Sequence, residues 1–88
     1  MEKSVLVTGA SSGIGAAVSK YLSEQGYSVV LVARSKDKLN QIANKLNGTK
    51  FIISYDLTDL EHIEDIFIEC RDKGIKLDGL VHCAGINN

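Results

Sequence analysis

Apolar positions along the chain follow two alternating rhythms. Val5-Leu6-Val7 is a short unbroken apolar run that ends at Thr8-Gly9, the pattern of a strand covered on both faces. Beyond the glycines, Ile14, Val18, Tyr21 and Leu22 recur at helical spacing, and Gly26 stands where a helix would close. Val29-Val30-Leu31-Val32 repeats the strand pattern. Ser35 is placed to cap a helix whose apolar positions are Leu39, Ile42, Ala43 and Leu46, with Asn47-Gly48 ending it. Phe51-Ile52-Ile53 predicts a third strand. Thr58 and Glu61 have capping-box spacing ahead of a stripe formed by Ile63, Ile66, Phe67 and Cys70, which Gly74 closes. Leu80-Val81 and its flanks predict a fourth strand ending at Ala84-Gly85.

The resulting order, β-α-β-α-β-α-β, implies a parallel sheet joined by right-handed crossovers. The expected strand order is 3-2-1-4, the first half of a doubly wound α/β fold plus one strand past the point where the order reverses. Strand four is as apolar as an interior strand, yet no following segment pairs with its outer edge. The sheet face opposite the first two helices has one helix to cover it. A bare apolar edge of this kind is a site of assembly or aggregation.

Composition narrows the picture only slightly. Eighty-eight residues suit one small domain, and 44% apolar with 24% charged residues fits a folded globular chain. A formal charge of -1 offers no electrostatic case for nucleic acid or a membrane surface. Cys70 and Cys83 both sit in apolar stretches, which predicts buried free thiols in a reducing compartment. The start of the chain has neither a signal-peptide core nor a cleavage site, and the expected location is the cytoplasm.

The segment with chemical content is Thr8-Gly9-Ala10-Ser11-Ser12-Gly13-Ile14-Gly15, between the first strand and the first helix. That context suits a turn that cradles a dinucleotide. Gly9 permits the tight turn, Gly13 lets the backbone approach a pyrophosphate, and Gly15 lets the helix lie close to the strand. Free N–H groups at the helix start would face the phosphates. The hydroxyls of Ser11, Ser12 and Thr8 are expected to add hydrogen bonds. A P-loop is excluded because no Gly-Lys-Ser/Thr follows.

This T-G-x-x-x-G-x-G pattern resembles the short-chain dehydrogenase/reductase family, in its compact single-domain branch. The resemblance runs through the whole chain: the glycine turn, Val32-Ala33-Arg34-Ser35, Asp56-Leu57-Thr58 and His82-Cys83-Ala84-Gly85 occur in order at family spacing. It implies that residues 1–88 are a partial NAD(P)-binding, three-layer Rossmann-like domain. At the end of strand two an acid would hold the ribose 2′-OH of NAD, whereas an arginine accommodates the 2′-phosphate of NADP. Here Ala33 takes the acid's place and Arg34 follows, which points to NADP(H) over NAD(H). Ser35 can add a hydroxyl; Lys38 reads as a solvated helix-start residue. The resemblance places Asp56 at the adenine amino group and Leu57 against the ring. Ala84 and Gly85 match the family's N-N-A-G, whose small residues pass beneath the cofactor. Cys83 stands where an asparagine ties neighbouring strands, and a thiol is a weak hydrogen-bond partner. His82 reads as structural, and no metal site is expected.

The family's chemistry is hydride transfer between nicotinamide and a carbonyl or alcohol carbon. It uses a serine and a tyrosine with a lysine four positions on, because an isolated phenol is a poor base near neutrality. Four positions beyond Tyr21, Tyr27 and Tyr55 stand Gln25, Leu31 and Asp59. No catalytic residue is assigned. The expectation is therefore the cofactor-binding part of an NADP(H)-dependent reductase, inactive alone, with any carbonyl or alcohol substrate belonging to a longer parent. The alternative is a non-catalytic nucleotide-binding or assembly module that uses the strand-four edge, including as a homo-oligomer.

Overall fold

The computed structural model describes residues 3–11, 13–55 and 64–83. Strand β1 spans Ser4–Thr8, helix α1 Gly13–Glu24, strand β2 Ser28–Ala33 and helix α2 Lys36–Ala43. Strand β3 spans Lys50–Ser54, helix α3 Glu64–Asp72 and strand β4 Leu77–His82. They build a four-stranded parallel sheet in the order β3-β2-β1-β4, as the alternation predicts.

β1 and β2 are buried along their whole lengths, so their unbroken apolar runs meet cover on both faces. On one face Val5, Val7, Val29 and Leu31 pack with Leu39, Ala43 and Leu46 from the α2 side and with Val18 and Leu22 of α1. On the other, Leu6, Val30, Val32 and Ile53 meet Ile66 and Cys70 of α3. The two inward sets alternate along each strand, as the pleat requires.

The helices depart from the expected stripes in instructive ways. α1 buries two small residues, Gly15 and Ser19, with Val18 and Leu22 partly buried against the core. The Ser19 hydroxyl is satisfied by donating to the Gly15 carbonyl at 2.7 Å. This seating turns Tyr21 outward to 60% exposure, so it is not part of the apolar face the sequence predicts. In α3 only Ile66 and Cys70, one turn apart, point inward; Phe67 was expected in that stripe but lies exposed beside Ile68.

Ser35 caps α2 as expected, its hydroxyl oxygen accepting from the Lys38 amide at 3.3 Å. Regular helix stops at Ala43, earlier than the apolar spacing suggested. The next amides bond back three residues, Lys45 to Ile42 and Leu46 to Ala43, and this tighter winding still buries Leu46. Lys50 Nζ donates to the Leu46 carbonyl at 2.7 Å, so the acceptor that ends this turn is not left bare. The predicted Thr58–Glu61 capping box and Ile63 lie outside the described residues.

β4 is an edge strand among the described elements, with alternating intermediate and exposed positions. Its pairing with β1 is irregular between Ser4 and Val5, where Asp78 has no partner in the register. The Asp78 carboxylate accepts the Ser4 amide at 3.0 Å and so repairs that step. Leu80 pairs with Leu6 yet stays 57% exposed, whereas Leu77 at the start of the same strand packs against the α3-side cluster.

Candidate functional site

The C-terminal ends of all strands point to one edge of the sheet, and the predicted site residues within the described set gather there. β1 and β4 are neighbours at that edge while the connection from β1 leads the other way to β2, which opens a crevice at the reversal of strand order. The glycine turn occupies this position.

Its backbone shows why glycine is needed at two points. Gly9 adopts φ 67, the left-handed region that side chains disfavour. At Gly15 an added Cβ would run into the Gly9 carbonyl oxygen and lie 2.8 Å from the Ala10 Cα, so only a hydrogen lets α1 close onto the turn. A Cβ on Gly13 would meet nothing within 4 Å. Gly13 therefore opens onto free space at the first residue of α1, the end toward which a helix directs its amides and the positive end of its dipole. The Ala10 amide donates to the Val32 carbonyl at 3.1 Å and anchors the turn to β2. Ser11 is partly buried beside it and Ile14 is half exposed, on the open side. This cradle, walled by backbone and closed to a Cβ at Gly15 but not at Gly13, suits a pyrophosphate.

Arg34 follows β2 and stands exposed on the same edge. Its backbone is held by β3: the Ser54 hydroxyl donates to the Arg34 carbonyl at 2.9 Å, and the Tyr55 amide donates to the Ala33 carbonyl at 2.9 Å. Sequence reasoning missed Ser54; a polar residue closing an apolar strand was its only signal. No ion pair engages Arg34 among the described residues. Ser35 uses its oxygen as a helix cap, while its own hydroxyl proton is not used in that bond. Lys38 stands exposed one turn into α2.

Thr8 behaves differently from expectation. Its hydroxyl, expected to reach a phosphate, is buried against β4, 2.7 Å from His82 Nδ1 and 3.5 Å from the Val81 carbonyl. Pleat parity decides this: Thr8 pairs with His82, and both side chains leave the sheet on the α3 face. The Cys83 amide donates to the Thr8 carbonyl at 3.0 Å, and the Cys83 side chain is buried in the core under α1 and α2. Strands β1 and β4 are thus tied by Thr8 and His82, one position before Cys83.

Ser12, Asp56, Leu57, Ala84 and Gly85, all expected at the cofactor, lie outside the described residues. Both cysteines are free and buried. Burial pushes the Cys70 thiol up from its ordinary value, with Glu69 adding to the rise and Lys73 opposing it. Among the described residues no group of His, Cys, Asp and Glu side chains is arranged to hold a metal ion. Nor is any helix among them long and apolar enough to cross a membrane. Two open grooves, of about 400 and 450 Å³, lie at the opposite edge of the sheet, around Gly48 and around Ser4 and Gly74. Neither includes a residue of the glycine turn.

The sheet order, the flanking helices and the turn define a Rossmann-like doubly wound α/β protein. Residues 3–88 match the model of the short chain dehydrogenase family, and the chain belongs to that family. It is 45% identical over 84 residues to an uncharacterized oxidoreductase of Staphylococcus epidermidis, covering 96% of this chain and 36% of that protein. Among solved structures it resembles a short-chain type dehydrogenase/reductase from Mycobacterium ulcerans, at 32% identity and TM-score 0.85, covering 97% of this chain and 33% of that one. It also resembles an actinorhodin polyketide ketoreductase solved with NADPH, at 28% identity and TM-score 0.87, covering 96% and 33%. The chain spans about a third of the length of these relatives.

Proposed function

We propose that this chain is the cofactor-binding part of an NADP(H)-dependent short-chain dehydrogenase/reductase. The observation that carries the reading is the glycine turn: Gly9 at φ 67, Gly15 pressed against the turn backbone, and Gly13 facing open space at the start of α1. A bound dinucleotide would supply a hydride to, or take one from, a carbonyl or alcohol carbon. The chain's own part is to bind and orient. Gly9, Ser11, Ser12, Gly13, Ile14 and Gly15 would receive the pyrophosphate, and Asp56 and Leu57 the adenine. Cys83, Ala84 and Gly85 would pass beneath the ribose on the nicotinamide side.

NADP(H) is preferred over NAD(H) on the strength of Arg34 and Ser35. A guanidinium following β2, with its backbone held by Ser54 and its side chain exposed, can pair bidentately with a 2′-phosphate. The NADPH in the ketoreductase relative is in keeping with this choice. Turnover is not expected from these 88 residues, because no tyrosine has a lysine four positions on.

Titration of the purified chain with NADPH and NADH tests the reading. NADPH should bind more tightly, and Arg34→Ala should weaken it about 10- to 100-fold, the worth of a charge-assisted pair, while changing NADH about twofold or less. Equal affinity for the two dinucleotides sinks the NADP(H) assignment, and carbonyl reduction by the chain alone sinks the inactivity.

A further inference from the structure

We infer that Ser54 is a positioning residue for recognition of a 2′-phosphate: its hydroxyl fixes the aim of Arg34 and so sharpens the preference for NADP(H) over NAD(H). The inference deepens the cofactor reading above and rests on it. Strand β2 ends at Ala33 and helix α2 starts at Lys36, so Arg34 and Ser35 alone join them. The chain at the end of β3 holds the Arg34 backbone from both sides. The Tyr55 amide donates to the Ala33 carbonyl at 2.9 Å, and the Ser54 hydroxyl donates to the Arg34 carbonyl at 2.9 Å. The Ser35 oxygen, which caps α2 by accepting the Lys38 amide at 3.3 Å, holds the residue that follows.

The place of the two acceptors gives these bonds their effect. The Ala33 carbonyl belongs to the peptide plane before the Arg34 Cα, and the Arg34 carbonyl to the plane after it. With both rigid planes held, the position of that Cα and the direction of its Cβ are set, and the long side chain starts from a fixed base. The first bond continues the β2–β3 ladder, and any residue but proline at position 55 could make it. The second needs a short side-chain donor at position 54. Register and pleat deliver it: Ser54 pairs with Ala33 and alternates with Ile53 and Tyr55, which pack on the α3 side. Ser54 therefore leaves the sheet on the opposite face, with Ala33, where the link to α2 departs.

Arg34 and Ser54 are both exposed, so in the ligand-free protein water can replace the hydroxyl at little cost to folding. Binding makes a stricter demand. A bidentate pair requires the planar guanidinium to meet the phosphate oxygens in one orientation, and each rotation left open must be frozen as the pair forms. Holding the Arg34 peptide in advance lowers that cost for a ligand bearing a 2′-phosphate. NADH has no such group and gains nothing from it.

Calorimetric titration with NADPH and with NADH tests this in the wild-type chain, Ser54→Ala, Ser54→Thr, Arg34→Ala and the variant carrying both alanines. Ser54→Ala should weaken NADPH about two- to tenfold, the net worth of one hydrogen bond, and change NADH less than about twofold. Ser54→Thr keeps a hydroxyl there and should bind NADPH within about twofold of wild type. In the Arg34→Ala background the Ser54 substitution should cost NADPH less than about twofold, because the two residues act as one unit. Three results overturn the proposal: unchanged NADPH affinity in Ser54→Ala, equal weakening of both dinucleotides, or the same loss with and without Arg34. A Ser54→Thr chain as weak as Ser54→Ala does so too. The cofactor reading fails by a separate result, an Arg34→Ala chain that binds NADPH as well as wild type or a wild type that binds neither dinucleotide, and this inference then falls with it.

Discussion

Gly15→Ala and Gly13→Ala place the same methyl group two residues apart and should have opposite consequences. At Gly15 the new Cβ meets the Gly9 carbonyl oxygen, the Ala10 Cα at 2.8 Å and the Gly9 carbonyl carbon at 2.9 Å. All are backbone atoms of a turn pinned to β2 by the Ala10 amide, so no side chain can swing aside. Alanine in a helix gains up to about 1 kcal/mol over glycine, whereas forcing a methyl into packed backbone costs about 1–3 kcal/mol or more. The balance is a loss of about 1–2 kcal/mol, which for a domain of this size lowers Tm by roughly 5–15 °C. At Gly13 the Cβ meets nothing within 4 Å, so folding should be unharmed or improved by up to about 1 kcal/mol. The same methyl would stand in the space assigned to the pyrophosphate, and NADPH affinity should fall at least about tenfold. Thermal melting by circular dichroism and NADPH titration of both variants decide the matter. A Gly15→Ala chain as stable as wild type refutes the close-approach argument. A Gly13→Ala chain that binds NADPH normally refutes the assignment of Gly13.

Other expectations follow from burial. Folding favours the protonated form of Cys70, because burial raises its thiol above the ordinary value. That contribution is complete below the unfolded chain's thiol pKa and fades as pH climbs through the folded one. Urea midpoints of the wild type should therefore fall more steeply above about pH 8.5 than those of Cys70→Ala, and parallel slopes would disprove the coupling. Leu80, exposed on the open side of β4, should tolerate Leu80→Lys within about 0.5 kcal/mol. If β4 is an assembly surface, the same substitution should abolish any concentration-dependent mass in light scattering; unchanged association would clear this face of that role.

Local chemistry makes much of the protein legible in its sequence. Unbroken apolar runs at Val5–Val7 and Val29–Val32 announce interior parallel strands because such strands are covered on both faces, and both are buried throughout. The glycine spacing located the turn because Gly9 and Gly15 answer steric demands within eight residues of chain. Ser35 was readable as a cap because its partner amide is three positions away. Tyr21 and Phe67 were misplaced for a complementary reason. Helical spacing lists the residues that can share a face, but which of them touches the sheet depends on how close the helix approaches. For α1 that was decided by the contact of Gly15 with the turn.

What the sequence determined alone was the succession of elements, the parallel sheet with its 3-2-1-4 order, and the family to which the glycine turn belongs. These rest on interactions between near neighbours and on the handedness of crossovers, which a linear pattern encodes. Only the tertiary structure decided the partners of Thr8, Ser54 and Asp78. Their bonds join residues 74, 20 and 74 positions apart, and depend on strand register and on the irregular step at Ser4. A one-residue slip of β4 would turn His82 to the other face, so no inspection of Thr8 or His82 alone could have paired them.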